Sequence, residues 1–265
     1  MDRYLVIGDP VKHSLSPRIH AVFAEQTGEQ MVCEHYHLPA TQFSIDFPKL
    51  LAEGIKGFNV TLPLKGLAFE QADQASESAR VAKAASFLHV NDTGLFAGNF
   101  DGQGLLWDLE RYHGVEIADQ RVLICGAGGA VRGLLTALQA YQPAEVVVAN
   151  RTVAKAQQLA QDYGVVVSGY EGLTKPFDII INGTSASVRG EVLPIPSSAY
   201  TADTFCYDMM YAPNGETAFT QWAQQQGMKR VSDGLGMLIQ HNTEVFALWR
   251  GVQPDPDPLY AVLRV

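Results

Sequence analysis

The sequence predicts an α/β protein of two domains, a mixed α/β domain followed by a doubly wound parallel one. Three observations carry this. The chain has 265 residues, 47% of them hydrophobic, enough for one large core or two smaller ones. Apolar strand-like runs alternate with helix-periodic segments along most of its length. A glycine turn, Gly126-Ala127-Gly128-Gly129-Ala130-Val131-Arg132, joins the apolar run Arg121-Val122-Leu123-Ile124-Cys125 to a helical stretch marked by Leu134, Leu135 and Leu138.

The first domain is read as residues 1–101. It opens with a strand at Arg3 to Ile7 and an irregular loop from Gly8 to Pro17. A helix follows with Ile19, Val22 and Phe23 on one face, stopping near Gly28. Further strands are expected near Met31 to His37 and Gly57 to Val60. Phe87 to Val90 and Leu95 to Gly98 flank Asn91-Asp92-Thr93-Gly94, a turn suited to a β-hairpin. Leu105, Leu106 and Leu109 mark a linking helix. The second domain, residues 102–233, then alternates strands with helices, with later strands at Val165-Val166-Val167, Asp178 to Ile181 and Phe205-Cys206-Tyr207. Residues 234–265 complete the first domain: a helix starts at Asp233-Gly234-Leu235-Gly236-Met237-Leu238 and carries Val245, Phe246 and Trp249. Pro254, Pro256 and Pro258 separate it from a short terminal helix.

A formal charge of −9 argues against general nucleic-acid or anionic-membrane binding, since both draw on clustered positive charge. Three cysteines, Cys33, Cys125 and Cys206, lie in apolar stretches and read as reduced packing residues. Neither a leader pattern nor a membrane-length apolar segment is found, so the expected compartment is cytoplasmic. Metal-ligand spacings are also missing. His13 and His20 read as packing or surface residues, and so do Trp107, Trp222 and Trp249.

Strand, glycine turn, helix and strand in succession suggest a dinucleotide site. Glycines let the backbone approach a pyrophosphate at the next helix's N-terminus. After the second strand, Glu145 to Ala149, an NAD site usually places a carboxylate for the ribose 2′-hydroxyl. This chain has Asn150, Arg151 and Thr152, with Lys155 one turn later. A solvated helix start is the plainer reading of the cations, yet cations at a helix N-terminus oppose the macrodipole. A 2′-phosphate supplies a reason for them, and NADP(H) is the expected cofactor.

Asn59-Val60-Thr61-Leu62-Pro63-Leu64-Lys65 places a lysine just beyond a strand and a proline turn. Gly98-Asn99-Phe100-Asp101-Gly102 places a carboxylate at the end of the hairpin strand. By spacing alone these are a surface lysine and a turn aspartate. Brought together they could relay the hydroxyl proton that alcohol oxidation by a nicotinamide releases.

These segments, in this order, resemble the shikimate dehydrogenase family over essentially the whole chain. The resemblance rests also on Gly8-Asp9-Pro10, His13-Ser14-Leu15-Ser16-Pro17 with His20, Asn182-Gly183-Thr184-Ser185, Tyr207-Asp208-Met209-Met210-Tyr211 and Asp233 to Leu238. It implies a substrate domain and a Rossmann domain with a cleft between them, and NADP-dependent interconversion of 3-dehydroshikimate and shikimate. Position by position, it makes Lys65 and Asp101 the catalytic pair. Ser14 and Ser16 match hydroxyls for the substrate carboxylate, Thr61 a further substrate contact, and Tyr211 a tyrosine near the ring. Gly126, Ala127, Gly128, Gly129, Ala130, Asn150, Arg151, Thr152, Lys155 and Thr184 fall to the cofactor, with Gly236 and Met237 beside the nicotinamide.

Departures from the pattern cluster among the substrate positions. Where the family reads Gly-Ala-Val-Asn-Thr, this chain has Lys83-Ala84-Ala85-Ser86-Phe87, so Ser86 replaces an asparagine that bonds a ring hydroxyl. Phe100 replaces a substrate-binding threonine, and His241 replaces a glutamine. Gln240, one residue earlier, points about 100° away around the helix and cannot stand in for it. Each lost hydrogen bond costs roughly 1–3 kcal/mol. His241 is expected to contact the substrate. The substrate is accordingly a small cyclic hydroxy acid, either shikimate or, for a paralogue weak on shikimate, quinate or a related acid. A non-catalytic NADP-binding sensor is a third reading, and monomer and homodimer are both compatible with the family.

Overall fold

Strand β1 (Asp2–Gly8) is buried from Tyr4 through Ile7 with no alternation, which is what a strand covered on both faces requires. In the computed structural model, which describes residues 1–264, it is the second strand of a six-stranded sheet. Helix α1 (Ser16–Thr27) follows and ends on Gly28 in the left-handed conformation, φ +74°. Next come β2 (Met31–His37), α2 (Phe43–Ala52), β3 (Gly57–Val60), α3 (Lys65–Glu70), β4 (Gln74–Ala75) and α4 (Glu77–Ala82). The hairpin β5 (Phe87–Asn91) and β6 (Gly94–Gly98) then leads into α5 (Asp101–Arg111).

The sheet order is β2-β1-β3-β5-β6-β4. β1 runs parallel to β2 and β3, β3 and β5 are antiparallel, β5 and β6 form the expected hairpin, and β4 adds a parallel edge. The sheet is mixed, as expected for this part of the chain. The short elements α2, α3, α4 and β4 carry too few periodic positions to stand out in the sequence. Asp101 is the first residue of α5 and lies beyond the hairpin strand, which stops at Gly98. The carboxylate is thus at a helix N-terminus, where negative charge is stabilised.

The second sheet is built from β7 (Arg121–Cys125), α6 (Gly129–Leu138), β8 (Glu145–Ala149), α7 (Val153–Tyr163), β9 (Val166–Ser168), β10 (Ile179–Asn182), β11 (Phe205–Asp208), α8 (Ala218–Gln225) and β12 (Arg230–Ser232). Its order is β12-β11-β10-β7-β8-β9 and every pair is parallel, the doubly wound arrangement the sequence predicts. Helices α9 (Leu235–Arg250) and α10 (Asp257–Val262) complete the chain.

The chain forms two compact units. One comprises Met1–Gly104 with Leu238–Val262, the other Leu105–Met237 with Leu263 and Arg264. In the first, Phe43 stacks on Phe47, and Phe47 packs at a tilt against Phe58 of β3 in the core. In the second, Leu134, Leu135 and Leu138 of α6 pack on Val122, Ile124 and Val148. All three cysteines are free and buried, Cys33 in the first unit and Cys125 and Cys206 in the second. Among the described residues no helix is long and apolar enough to cross a membrane.

The far end of α9 is locked to the first sheet by Trp249, which stacks on Tyr4 at 4.4 Å and donates its indole N–H to the Leu88 carbonyl. Gly57 makes room for that ring, since an added Cβ would fall 2.7 Å from Trp249 Nε1 and 2.8 Å from the Leu88 oxygen. Gly57→Ala is therefore expected to lower stability by about 1–3 kcal/mol, read as a shift of the urea midpoint at unchanged slope.

Candidate active site

Lys65 is carried by the turn after β3 and opens α3, and Asp101 opens α5. Lys65 Nζ donates to Asp101 Oδ2 at 2.5 Å, and the two side chains are only 19% and 6% exposed. The turn brings the lysine here because Leu64 is fully buried and the Lys65 carbonyl accepts the Ala85 N–H at 2.8 Å. Asp101 is held by its own N–H, which donates to Asn99 Oδ1 at 3.0 Å, while Asn99 Nδ2 donates to the Ala84 carbonyl. A lysine and a carboxylate close together and shielded from water can pass a proton to and from a bound oxygen.

His241 lies beside the pair, with Nδ1 3.8 Å from Asp101 Oδ1 and 3.4 Å from Ser86 Oγ. Its other nitrogen, Nε2, is 3.4 Å from Asn59 Nδ2. Ser86 is 1% exposed and accepts the Phe100 N–H at 3.0 Å. Both ring nitrogens of His241 and the Ser86 hydroxyl are therefore turned toward protein atoms. Phe100 stacks on Phe87 at 4.8 Å, and Gly98 accommodates the Phe87 ring, whose edge would lie 2.1 Å from an added Cβ. Gln240 points elsewhere and donates to the Tyr260 hydroxyl at 3.3 Å, as the helix geometry requires.

Ser14 Oγ accepts the Ser16 N–H at 3.3 Å, and Ser16 Oγ accepts from Asn59 Nδ2 at 3.4 Å. Thr61 follows β3 against Gly8, where an added Cβ would stand 2.4 Å from its methyl group. The structure thus gathers Ser16, Ser86, Asp101, Lys65 and His241 around β3 in the first unit. Tyr211 belongs to the second unit, as do all the residues expected at the cofactor.

Asn59 stands in the lysine motif, yet sequence reasoning gives it no role and misses Asn242 and Asn99 as well. The available signal was a polar residue in the middle of a fully buried strand, because such a group must find partners. Asn59 bonds His20 and Asn242, at 3.2 and 2.6 Å.

In the second unit Gly126 follows β7 at φ +108°, a conformation that favours glycine, and its N–H donates to the Ala149 carbonyl. Gly128 caps α6 and has nothing within 4 Å of an added Cβ, so the backbone is open to a ligand there. Ala127 completes the turn, and Gly129 and Ala130 open α6. Arg151, Thr152 and Lys155 are exposed around the start of α7, and Thr152 spends no side-chain hydrogen bond on capping that helix. Asn150 Nδ2 instead closes the turn onto the Thr152 carbonyl at 2.7 Å. An open glycine turn with uncommitted donors and cations at the next strand's end fits a phosphorylated dinucleotide. Thr184 is fixed by Asn182, which Asp208 holds in turn.

Gly236 and Met237 start α9 against a buried pair. Tyr207 Oη donates to Asp108 Oδ2 at 2.8 Å and accepts the Met237 N–H at 3.2 Å, and a Cβ on Gly236 would meet Asp108 Oδ1 at 1.9 Å. Asp108 shares a helix face with Leu105, an acidic residue on an apolar stripe that sequence reasoning passed over.

A doubly wound nucleotide-binding unit, together with a unit holding a shielded lysine–aspartate pair, defines a dinucleotide-linked oxidoreductase. Family models for the shikimate dehydrogenase substrate binding domain and for shikimate / quinate 5-dehydrogenase match residues 6–88 and 109–189. The chain belongs to the shikimate dehydrogenase family. It is 48% identical over 270 residues to a shikimate dehydrogenase (NADP(+)) of Thioalkalivibrio sulfidiphilus, covering 100% of this chain and 98% of that one. Among solved structures it resembles an Ael1 enzyme from Pseudomonas putida, at TM-score 0.91 and 40% identity over 100% and 99% of the two chains. It also resembles shikimate 5-dehydrogenase from Thermus thermophilus in complex with NADP(H) and shikimate, at TM-score 0.88 and 30% identity over 100% and 99%.

Burial holds both histidines of the first unit's polar cluster neutral. It lowers His20 to about 3 and His241 to about 4; Lys65 adds to the effect at His241 and Asp101 opposes it. The unfolded chain therefore binds protons between these values and 6.5 that the folded chain does not. Their contribution is complete above pH 6.5 and is lost as pH falls toward 4 and 3. Stability should fall by up to about 1.4 kcal/mol per histidine per pH unit in that window. Urea midpoints at about pH 7 and about pH 5 test this, with His20→Phe and His241→Gln each flattening the dependence.

Proposed function

We propose that this chain is an NADP-dependent oxidoreductase interconverting 3-dehydroshikimate and shikimate, or a closely related cyclic hydroxy acid, with Lys65 and Asp101 as its proton relay. The observation that carries the reading is the 2.5 Å Lys65–Asp101 pair, shielded from water and braced by Asn99 and Ala85. In the reducing direction, Lys65 donates a proton from Nζ to the carbonyl oxygen as it becomes a hydroxyl, and Asp101 Oδ2 holds the lysine in place. Oxidation runs the same transfer backward. Ser14 and Ser16 are assigned to the substrate carboxylate and Thr61 to a further contact.

NADP(H), when bound, supplies the hydride donor or acceptor. We assign its pyrophosphate to the turn from Gly126 to Ala130 and its 2′-phosphate to Asn150, Arg151, Thr152 and Lys155. Thr184, Gly236 and Met237 are assigned to the rest of the cofactor. The open backbone at Gly128 and the exposed cations support this assignment.

Reduction of NADP+ across a panel of shikimate, quinate and related hydroxy acids tests the reading directly, and failure on every member would overturn it. Lys65→Ala is expected to lower turnover by about 10²- to 10⁴-fold, with NADPH binding by fluorescence titration unchanged. Arg151→Ala should raise KM for NADP+ by at least about tenfold, the loss of one charge-assisted hydrogen bond, and leave KM for NAD+ where it was.

A further inference from the structure

The polar cluster behind the Lys65–Asp101 pair is a chain of amides and imidazoles whose donors and acceptors can be settled one link at a time. Asn242 Nδ2 donates to the Leu238 carbonyl at 2.8 Å, an oxygen that can only accept. Asn242 Oδ1 is therefore the atom 2.6 Å from Asn59, and the atom it meets must be a donor, Asn59 Nδ2. That orientation turns Asn59 Oδ1 to His20 Nε2 at 3.2 Å, so this nitrogen carries the proton. His20 Nδ1 is then a bare acceptor, buried without a partner, with the ring stacked on Trp249 at 5.0 Å.

The same orientation leaves the second Asn59 Nδ2 hydrogen between His241 Nε2 and Ser16 Oγ, each 3.4 Å away, so that Nε2 faces a donor group. Facing a donor, Nε2 must be the unprotonated nitrogen, and the proton of a neutral ring sits on Nδ1. A second, independent constraint agrees. Nδ1 looks toward the Asp101 carboxylate, with Oδ1 at 3.8 Å, and toward Ser86 Oγ at 3.4 Å, where a lone pair would be repelled by the carboxylate. Double protonation would set Nε2–H against the Asn59 amide hydrogens and put a second cation beside Lys65, in a side chain 7% exposed.

We infer that Asn59, oriented by Asn242, fixes His241 as a neutral Nδ1–H donor directed at Ser86 and Asp101 Oδ1, so that Asn59 and His241 are positioning residues for the Lys65–Asp101 pair. Lys65 holds Oδ2, and an Nδ1–H directed toward Oδ1 from 3.8 Å, beyond hydrogen-bond length, favours the same carboxylate orientation by electrostatic attraction. His241 has both nitrogens committed to protein and acts on the reaction through Asp101. This revises the expectation from sequence that it contacts the substrate. The inference rests on Lys65 and Asp101 being the relay.

The test is the ¹⁵N spectrum of the histidine-labelled full-length protein at about pH 7, where a neutral imidazole is expected, with His241 assigned by the signal missing in His241→Gln. An Nδ1–H, Nε2-acceptor pattern is expected; an Nε2–H or doubly protonated ring would overturn the inference. Asn59→Asp places an acceptor opposite Nε2 and should move the proton there or add one. On whichever acid the enzyme oxidises, kcat should fall at least about tenfold with KM within about twofold. An unchanged tautomer, or a raised KM at unchanged kcat, would count against it. If that variant does not fold, the wild-type spectrum alone decides. Absence of activity on every acid would remove the functional reading and leave the tautomer result standing.

Discussion

The first unit is organised around one requirement, that an amide buried in the middle of a strand must spend all its hydrogen bonds on protein. Asn59 is 3% exposed, and α1 and α9 both supply it with partners, His20 from one and Asn242 from the other. An unpaired group at this depth would cost about 1–3 kcal/mol, enough to fix the register of both helices against β3. The lysine six residues further on inherits that precision, because the strand that carries Asn59 also launches the turn to Lys65.

The second unit solves a different problem. Its parallel strands are almost wholly apolar, and the polar chemistry is pushed to their carboxyl ends. Asp208 at the end of β11 accepts from Ser187, Thr217 and Asn182 side chains and the Met210 N–H, and so holds the Asn182–Thr184 turn. Burial pushes its pKa up against those four donors. Asp108 and Tyr207 perform the same office for the start of α9. In both places a buried carboxylate shapes a loop through protein contacts of its own.

Periodicity and punctuation made the larger elements legible. The apolar strands, the hairpin at Asn91 to Gly94, the glycine turn at Gly126 and the stop at Gly28 all follow from local rules that a sequence displays directly. The pair at Lys65 and Asp101 was legible only through resemblance, since 36 residues separate the two and nothing in their spacing says that α3 and α5 start side by side. Asn59, Asn99 and Asn242 were missed because their function is pairing, and pairing depends on tertiary neighbours. His241 shows the same limit from the other side. The sequence marked it as unusual, but only the positions of Asn59 and Ser86 show which way each nitrogen faces.

The buried thiols have an experimental use. Burial raises Cys33 and Cys125 to about 12 and Cys206 higher still, so no reactive thiolate is on offer in the native fold. Alkylation must wait for local or global opening. One thiol lies in the unit that carries the relay and two in the unit with the parallel sheet. The chain thus contains its own mass-resolved clock, in which the order of labelling reports which half of the protein opens first.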